Sequence, residues 1–287
     1  KNPGVRKGLA HSVNMGMVID TLFRGNMRRL GSYMEGYGDL TLPLKAPEYS
    51  KKKAMEHFAR AGYREMGEDG VLKNERGERL VVELTFADSS TLMTNVCSIL
   101  RQEALKCGVD LRLDPLTYNV CSRKVFEKRY QAALWAWPLQ TPFPRLYETF
   151  ASELAYDARG NPVGNTNNIF AVADTELDAA LDAERNATDG SALKKALHRA
   201  QKRIHELCVW IPGWREPYTY VACWRWIRWP ESPTRFCSPR IYNPLESHLY
   251  WVDEKMKKET QEARRRGVSF EERHQVIRIE RPDDAAP

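Results

Sequence analysis

The sequence predicts an α/β fold, and three segments carry that prediction. Leu80 to Phe86 alternates, placing Leu80, Val82, Leu84 and Phe86 on one face of a strand. Thr91 to Cys107 then shows helical periodicity through Met93, Val96, Leu100 and Ala104, and Gly108 stops it. Val109-Asp110-Leu111-Arg112-Leu113 alternates again. Strand, helix and strand with a crossover of this length form a parallel pair. A helix over Ser122 to Lys128 and an apolar strand over Gln131 to Trp137 extend the pattern.

The other elements follow in order. Val5, Leu9, Val13 and Met17 predict a helix from Val5 to Phe23, with Gly25 as its stop. Pro43 and Pro47 exclude a regular helix over Leu40 to Tyr49. Ser50 caps a short basic helix, Lys51 to Ala61, ended by Gly62. After a polar connection come two helices, Asp174 to Arg185 and Ser191 to Leu207, the second striped by Leu193, Leu197, Ala200, Ile204 and Leu207. Ile211-Pro212 closes that pair. Tyr218 to Trp229 reads as an extended segment dense in Trp and Arg, and Asp253 to Arg266 as a charged helix with little apolar face.

Composition bounds the class. The chain has 287 residues, 42% of them hydrophobic, with a formal net charge of +6. That supports a globular core, in one large domain or two small ones. The tail from Asp253 to Pro287 is neutral, so the excess charge lies upstream, scattered among acidic residues and forming no basic stripe. Nucleic acid is therefore not an expected partner. The six cysteines, Cys97, Cys107, Cys121, Cys208, Cys223 and Cys237, form no CxxC pair and leave the redox compartment open. No apolar run is long enough to span a bilayer, and Lys1-Asn2-Pro3-Gly4-Val5-Arg6 has no signal-peptide core.

Catalytic signatures do not stand out. The six histidines are scattered, and His205-Glu206 lacks the second histidine of a zinc helix. There is no Gly-x-Ser-x-Gly elbow, Walker loop or Gly-x-Gly-x-x-Gly turn. Asp174 and Asp178 share one helical face and read as a solvated flank. A non-enzyme with no cofactor and no metal is expected. The informative stretch is instead Ala132-Ala133-Leu134-Trp135-Ala136-Trp137, a strand ending at an aromatic pair. Beyond it lie Pro138, Gln140, Thr141 and a loop through Asn165-Thr166-Asn167-Asn168-Ile169. Loops of this kind line clefts on rigid elements. Trp135 and Trp137 point to opposite strand faces, so at most one of them faces a cleft and the other is core. Arg215 and Tyr218, after Ile211-Pro212, are further candidates for either cleft or fold support. Trp224, Trp226 and Arg228 share another face.

Several segments also resemble one family. Asn2-Pro3-Gly4-Val5-Arg6-Lys7-Gly8-Leu9-Ala10 is similar to the Val-Arg-x-Ala-Leu helix of the family 5 extracellular solute-binding proteins, the peptide, nickel and oligosaccharide receptors of ABC importers. Tyr49-Ser50-Lys51-Lys52-Lys53-Ala54 with Ala61-Gly62-Tyr63, then Asp69-Gly70, Gly108-Val109-Asp110-Leu111, Asn167-Asn168-Ile169 with Asp174 and Leu177, and Ile211-Pro212 follow in that family's order. The resemblance covers Asn2 to Trp251. It implies a lobe of the type II periplasmic-binding-protein fold, a mixed sheet flanked by helices, within a two-lobed receptor that closes on its ligand. It further implies the C-terminal part of such a receptor. On that reading residues 1–215 form the C-terminal ligand-binding lobe, 216–252 return toward the first lobe, and 253–287 form a charged helical tail.

The same resemblance implies an exported, periplasmic or envelope protein, monomeric, that takes a peptide or other small solute and presents it to an ABC permease. The Asn-Asn-Ile stretch and the segment from Ser152 to Gly164 lean toward the oligopeptide branch that includes the microcin C-type receptors. Peptide receptors of the family pair an aspartate with the ligand's α-amino group, and Gln140 stands at the matching position. A neutral amide supplies no charge-assisted bond. Oligosaccharide or nickel on the same fold, a surface interaction protein, and more remotely a hydrolase are the alternatives.

Overall fold

The structure is a computed structural model and describes residues 2–35, 37–136, 146–218, 220–230 and 249–276. The described residues form two compact units. The first comprises 2–35, 39–136 and 146–217, and the second 37–38 with the described residues from 218 onward.

The centre of the first unit is a three-stranded parallel sheet. Strand β4 (Val81–Ala87) lies between β5 (Asp110–Leu116) and β6 (Ala132–Ala133). The predicted parallel pair is present over seven residues, from Val81 opposite Asp110 to Ala87 opposite Leu116. Val82, Leu84 and Phe86 are buried, as the alternation requires. Thr85, on the other face, is buried too, because its hydroxyl donates to Asp114 Oδ2 at 2.9 Å. The expected strand to Trp137 is shorter: ladder pairing covers Ala132–Ala133, one more bond joins Leu134 N–H to the Thr85 carbonyl, and Trp137 lies outside the described residues.

Helix α4 (Thr91–Lys106) makes the crossover. Ser90 caps its first turn, and Val96, Cys97, Leu100 and Ala104 are buried in the core. Gly108 follows at φ +86°, where an added Cβ would also sit 2.6 Å from the Leu72 side chain. Two separate antiparallel pairs flank this sheet: β1 (Arg28–Arg29) with β7 (Trp214–Arg215), and β2 (Tyr63–Met66) with β3 (Leu72–Asn74).

The helix expected from Val5 to Phe23 is two helices, α1 (Pro3–Ser12) and α2 (Met15–Phe23). Asn14 divides them: its Oδ1 accepts from Met17 N–H at 3.1 Å while its Nδ2 donates to Glu103 Oε2 at 3.0 Å. An asparagine that caps a new helix competes with continuation of the old one. Helix α3 (Lys51–Arg60), capped by Ser50 as expected, packs on α1 through Gly8. An ideal Cβ at Gly8 would lie 2.2 Å from the ring of the fully buried Phe58. Gly8→Ala is therefore expected to destabilise the chain by about 1–2 kcal/mol, the overpacking cost less the gain in helix propensity, read by urea denaturation. A variant as stable as the parent would contradict this packing.

Helix α5 (Tyr118–Phe126) begins four residues before the expected Ser122. The expected polar connection contains a short helix, α6 (Leu146–Phe150), and a single turn at Ser152–Leu154. It is held to α7 (Thr175–Arg185) by Asp174 and Asp178, which are bonded within the fold and are not the solvated flank that the sequence suggests. Asp178 Oδ1 accepts from Ser152 N–H at 2.9 Å, and Ser152 Oγ in turn accepts from Asp174 N–H at 3.0 Å. Asp174 caps α7 through Leu177 N–H and takes a bidentate bond from Arg203 on α8 (Gly190–Leu207), at 2.9 and 2.7 Å.

Glu184 caps the start of α6 by accepting from Leu146 and Tyr147 N–H, and its Oε2 is buried without a partner among the described residues. Burial pushes its pKa up to about 7, outweighing the pull of the two N–H bonds. A raised folded pKa stabilises at low pH: the contribution is complete below the ordinary value of 4.5 and is lost as pH rises to about 7. Glu184→Gln is expected to flatten that part of the stability profile between pH 4.5 and 7, measured by urea denaturation across pH. An unchanged slope would contradict the assignment.

In the second unit β8 (Ile227–Arg228) pairs antiparallel with β9 (Trp251–Val252). Helix α9 (Glu254–Arg265), capped by Asp253, follows close to the expected bounds. Among the described residues, the segment expected to be extended from Tyr218 to Trp229 pairs only at β8. There Trp224 and Trp226 stack with centroids 4.7 Å apart, and Arg225 lies over the Phe270 ring at 3.8 Å. No helix among the described residues is long and apolar enough to cross a membrane.

Candidate functional site

In open parallel sheets the carboxyl ends of the strands are where ligands are held, because helices cover both faces and the loops there diverge. In the first unit those ends are Ala87, Leu116 and the Leu134-Trp135 step. Asp88 N–H donates to the Leu116 carbonyl at 3.0 Å, joining two of them. Helix α5 starts almost at once after β5, so Tyr118 projects beside the end of β6. Its ring stacks on Trp135 with centroids 6.3 Å apart and planes 15° apart, and Phe126 meets Trp135 edge-on at 6.0 Å. Cys121, Val125 and Ile169 are buried beneath.

This is an aromatic ledge on a rigid base. Trp135 is half-buried and clamped, while Tyr118 is 62% exposed. Lys124 stiffens the base by donating to Glu83 on β4 at 2.6 Å and to Asp114 on β5 at 2.8 Å. Burial acts to raise the Asp114 pKa, yet the bonds from Lys124 and Thr85 outweigh it and hold the carboxyl below its ordinary range. Burial pushes the Cys121 thiol up, so it serves as packing and is not a reactive group. Tyr130, raised to about 12 by burial, donates its hydroxyl proton to the Ile169 carbonyl. The ledge thus offers ring faces for stacking and no activated nucleophile.

The candidates from sequence are distributed unevenly. Trp135 lies on the ledge. Trp137, Gln140 and Thr141 lie outside the described residues. Asn165 and Asn167 are exposed, Asn165 at φ +57° with its N–H on the Phe126 carbonyl at 2.9 Å. That attachment is at the far end of α5 from Tyr118, on the order of 12 Å along the helix. Lys128 ties the same loop down through Val163 O and Thr166 Oγ1. Asn168 is fully buried: its Nδ2 donates to the Ala151 and Val172 carbonyls, and its Oδ1 accepts from Val172 N–H. Its amide folds the loop. Arg215 is paired with Glu35 at 3.5 Å, and Glu35 also accepts from Gly31 N–H, which makes Arg215 part of the β1–β7 support. Tyr218 belongs to the second unit, edge-on to Tyr220.

Tyr118 was missed by sequence reasoning. The signal was present as an aromatic two residues after the end of a parallel strand, but the helix start had been placed at Ser122.

The parallel sheet with helices around it is an α/β fold, and its superposition on solved oligopeptide-binding proteins makes it that of the type II periplasmic binding proteins. The chain belongs to the bacterial extracellular solute-binding proteins, family 5 (middle), whose pattern it matches over residues 1–153. It is 19% identical over 176 residues to the oligopeptide-binding protein AppA of Bacillus subtilis, covering 61% of this chain and 29% of that protein. The structure of AppA in complex with a nonapeptide superposes with a TM-score of 0.68 at 15% identity, over 87% of this chain and 47% of that one. The NikZ protein of Campylobacter jejuni in complex with Ni(L-His) superposes with a TM-score of 0.61 at 21% identity, over 74% of this chain and 41% of that one. A Thermotoga maritima oligopeptide-binding protein with bound mannohexaose gives a TM-score of 0.64 at 13% identity, over 88% and 49%. The chain spans 29% of that curated relative and 41–49% of these solved structures.

Proposed function

We propose that this chain is the ligand-binding part of a substrate-binding component of an ABC importer, taking peptides or oligopeptides. The observation that carries the reading is the Tyr118-Trp135-Phe126 ledge at the carboxyl edge of the parallel sheet, in a chain of the solute-binding family. Aromatic faces stack on side chains or planar peptide groups without selecting one sequence, as a receptor for varied peptides requires. In this reading residues 1–215 are the C-terminal lobe, 216–252 lead back toward a first lobe, and 253–287 are a charged tail. The receptor is exported, works as a monomer, closes on its ligand between two lobes, and hands it to a membrane permease. The Asn167-Asn168-Ile169 stretch and the segment from Ser152 to Gly164 support the oligopeptide branch that includes the microcin C-type receptors. Trp137, Gln140 and Thr141, which follow Trp135 in the chain, are the further ligand contacts of this proposal, and Asn165 and Asn167 are held apart from the ledge by the bond to Phe126. With Gln140 in place of the family's aspartate, the α-amino group is not a required anchor.

The test is a thermal-shift panel on the full chain: peptides of two to ten residues with free or acetylated N-termini, oligosaccharides, and nickel with histidine. Stabilisation follows RT ln(1 + [L]/Kd), about 2.7 kcal/mol at a hundredfold excess over Kd. The expected result is a shift with peptides that survives N-acetylation. A shift only with sugar or only with nickel would keep the fold and replace the ligand.

A further inference from the structure

A pocket about half open to solvent lies within the first unit, at the junction of α1 and α2. It measures about 270 Å³ and is walled by Met15, Ala46 and Tyr49, with Arg29 reaching it from β1. It is well away from the aromatic ledge. Asn14, which lines it, is bonded to Glu103, twelve residues along α4 from the helix start beside the carboxyl end of β4. That separates the two places by on the order of 18 Å.

Charge is unbalanced here. Arg29 donates to the Gly213 carbonyl at 3.0 Å, and among the described residues that is its one side-chain hydrogen bond and it has no ion pair. Glu48 also lines the pocket, but its carboxylate is mostly exposed and paired with Lys53 at 2.7 Å, and Glu103 is bonded by Lys106 and Asn14. Burial pulls the Arg29 pKa down to about 10. The guanidinium remains a cation at neutral pH, and a desolvated cation is stabilised by an anion that brings paired acceptors.

We propose that this cavity is a second binding site, for a small carboxylate with an apolar body, its carboxylate on Arg29 and its body against Met15, Ala46 and Tyr49. Arg29 provides five N–H donors in a planar fork. One is used by Gly213, and the fork geometry fits a two-oxygen acceptor. The apolar walls favour an unbranched or aromatic acid over a free inorganic ion.

The probe is benzoate, titrated into the full chain by calorimetry, with benzyl alcohol as the neutral match. Three variants locate the binding: Arg29→Gln removes the charge, Ala46→Phe fills the cavity while leaving Arg29 and its Gly213 bond in place, and Trp135→Ala alters the distant ledge. The expected result is benzoate binding that the alcohol does not reproduce. It should weaken by about tenfold or more in Arg29→Gln, vanish in Ala46→Phe, and stay unchanged in Trp135→Ala. Absence of benzoate binding, equal binding of the alcohol, persistence in either cavity variant, or loss in Trp135→Ala each overturns the proposal. The peptide panel is read separately, so failure here leaves the ledge reading standing.

Discussion

Replacing Gln201 with leucine should destabilise the chain by about 3–5 kcal/mol. Gln201 is 1% exposed in α8, and its amide is bonded on both sides. Oε1 accepts from Ser32 Oγ at 2.7 Å and from Leu42 N–H at 2.9 Å, and Nε2 donates to the Leu40 carbonyl at 2.8 Å and to Leu197 O at 3.1 Å. The amide therefore performs for the Pro-containing segment what a neighbouring strand would otherwise perform. Leucine fits the volume but leaves the Ser32 hydroxyl proton, the Leu42 N–H and the Leu40 carbonyl without partners, while Ser32 Oγ still accepts from Met34 N–H, and each orphan costs about 1–3 kcal/mol. Urea denaturation checks this. A loss below 1 kcal/mol would mean that water replaces the amide and that the segment is not held through this residue.

The second large effect is expected at Asp174. Asp174→Ala removes the α7 cap and the bidentate bond from Arg203 together, a loss of about 2–3 kcal/mol. Arg203 keeps Glu176 at 3.1 Å and Glu206 at 3.5 Å, which limits the damage. Asp174→Asn separates the terms, since an asparagine still caps and loses only the charge-assisted pair. The Arg203 bonds hold the Asp174 carboxyl below its ordinary range against the opposing effect of burial. A depressed folded pKa gives stability that is present above the ordinary value and falls away as pH drops through the folded one. Asp174 and Glu184, ten residues apart on one helix, thus act in opposite directions with pH. If Asp174→Asn proves as damaging as Asp174→Ala, the cap contributes nothing and the pair carries the whole effect.

What the sequence disclosed and what it hid divide along physical lines. The β4–α4–β5 unit was legible because its signals are local: alternation in Val82, Leu84 and Phe86, a 3.6-residue stripe from Met93 to Ala104, and a glycine that alone fits φ +86°. The break at Asn14 was hidden because α1 and α2 together preserve the apolar period across it. Asp174 and Asp178 read as surface residues because their partners, Arg203 and the Ser152 amide, are distant in sequence or lie on a loop. Asn168 and Arg215 carried the polarity expected of ligand contacts, yet the fold consumes both. Polar residue type alone does not separate an amide that closes a loop from one that holds a ligand. The ledge was half legible, as Trp135 without Tyr118, since stacking across two elements leaves no trace in spacing.

Calorimetric titration of peptides into the full chain, with Trp135→Ala and Tyr118→Ala alongside, shows whether the ledge holds the ligand. Base plates of this kind contribute through ring faces, and the account predicts measurable peptide binding in the parent that weakens by about tenfold in either variant while stability changes little at the exposed Tyr118. Peptide binding of equal strength in parent and both variants would contradict the ledge as the ligand surface.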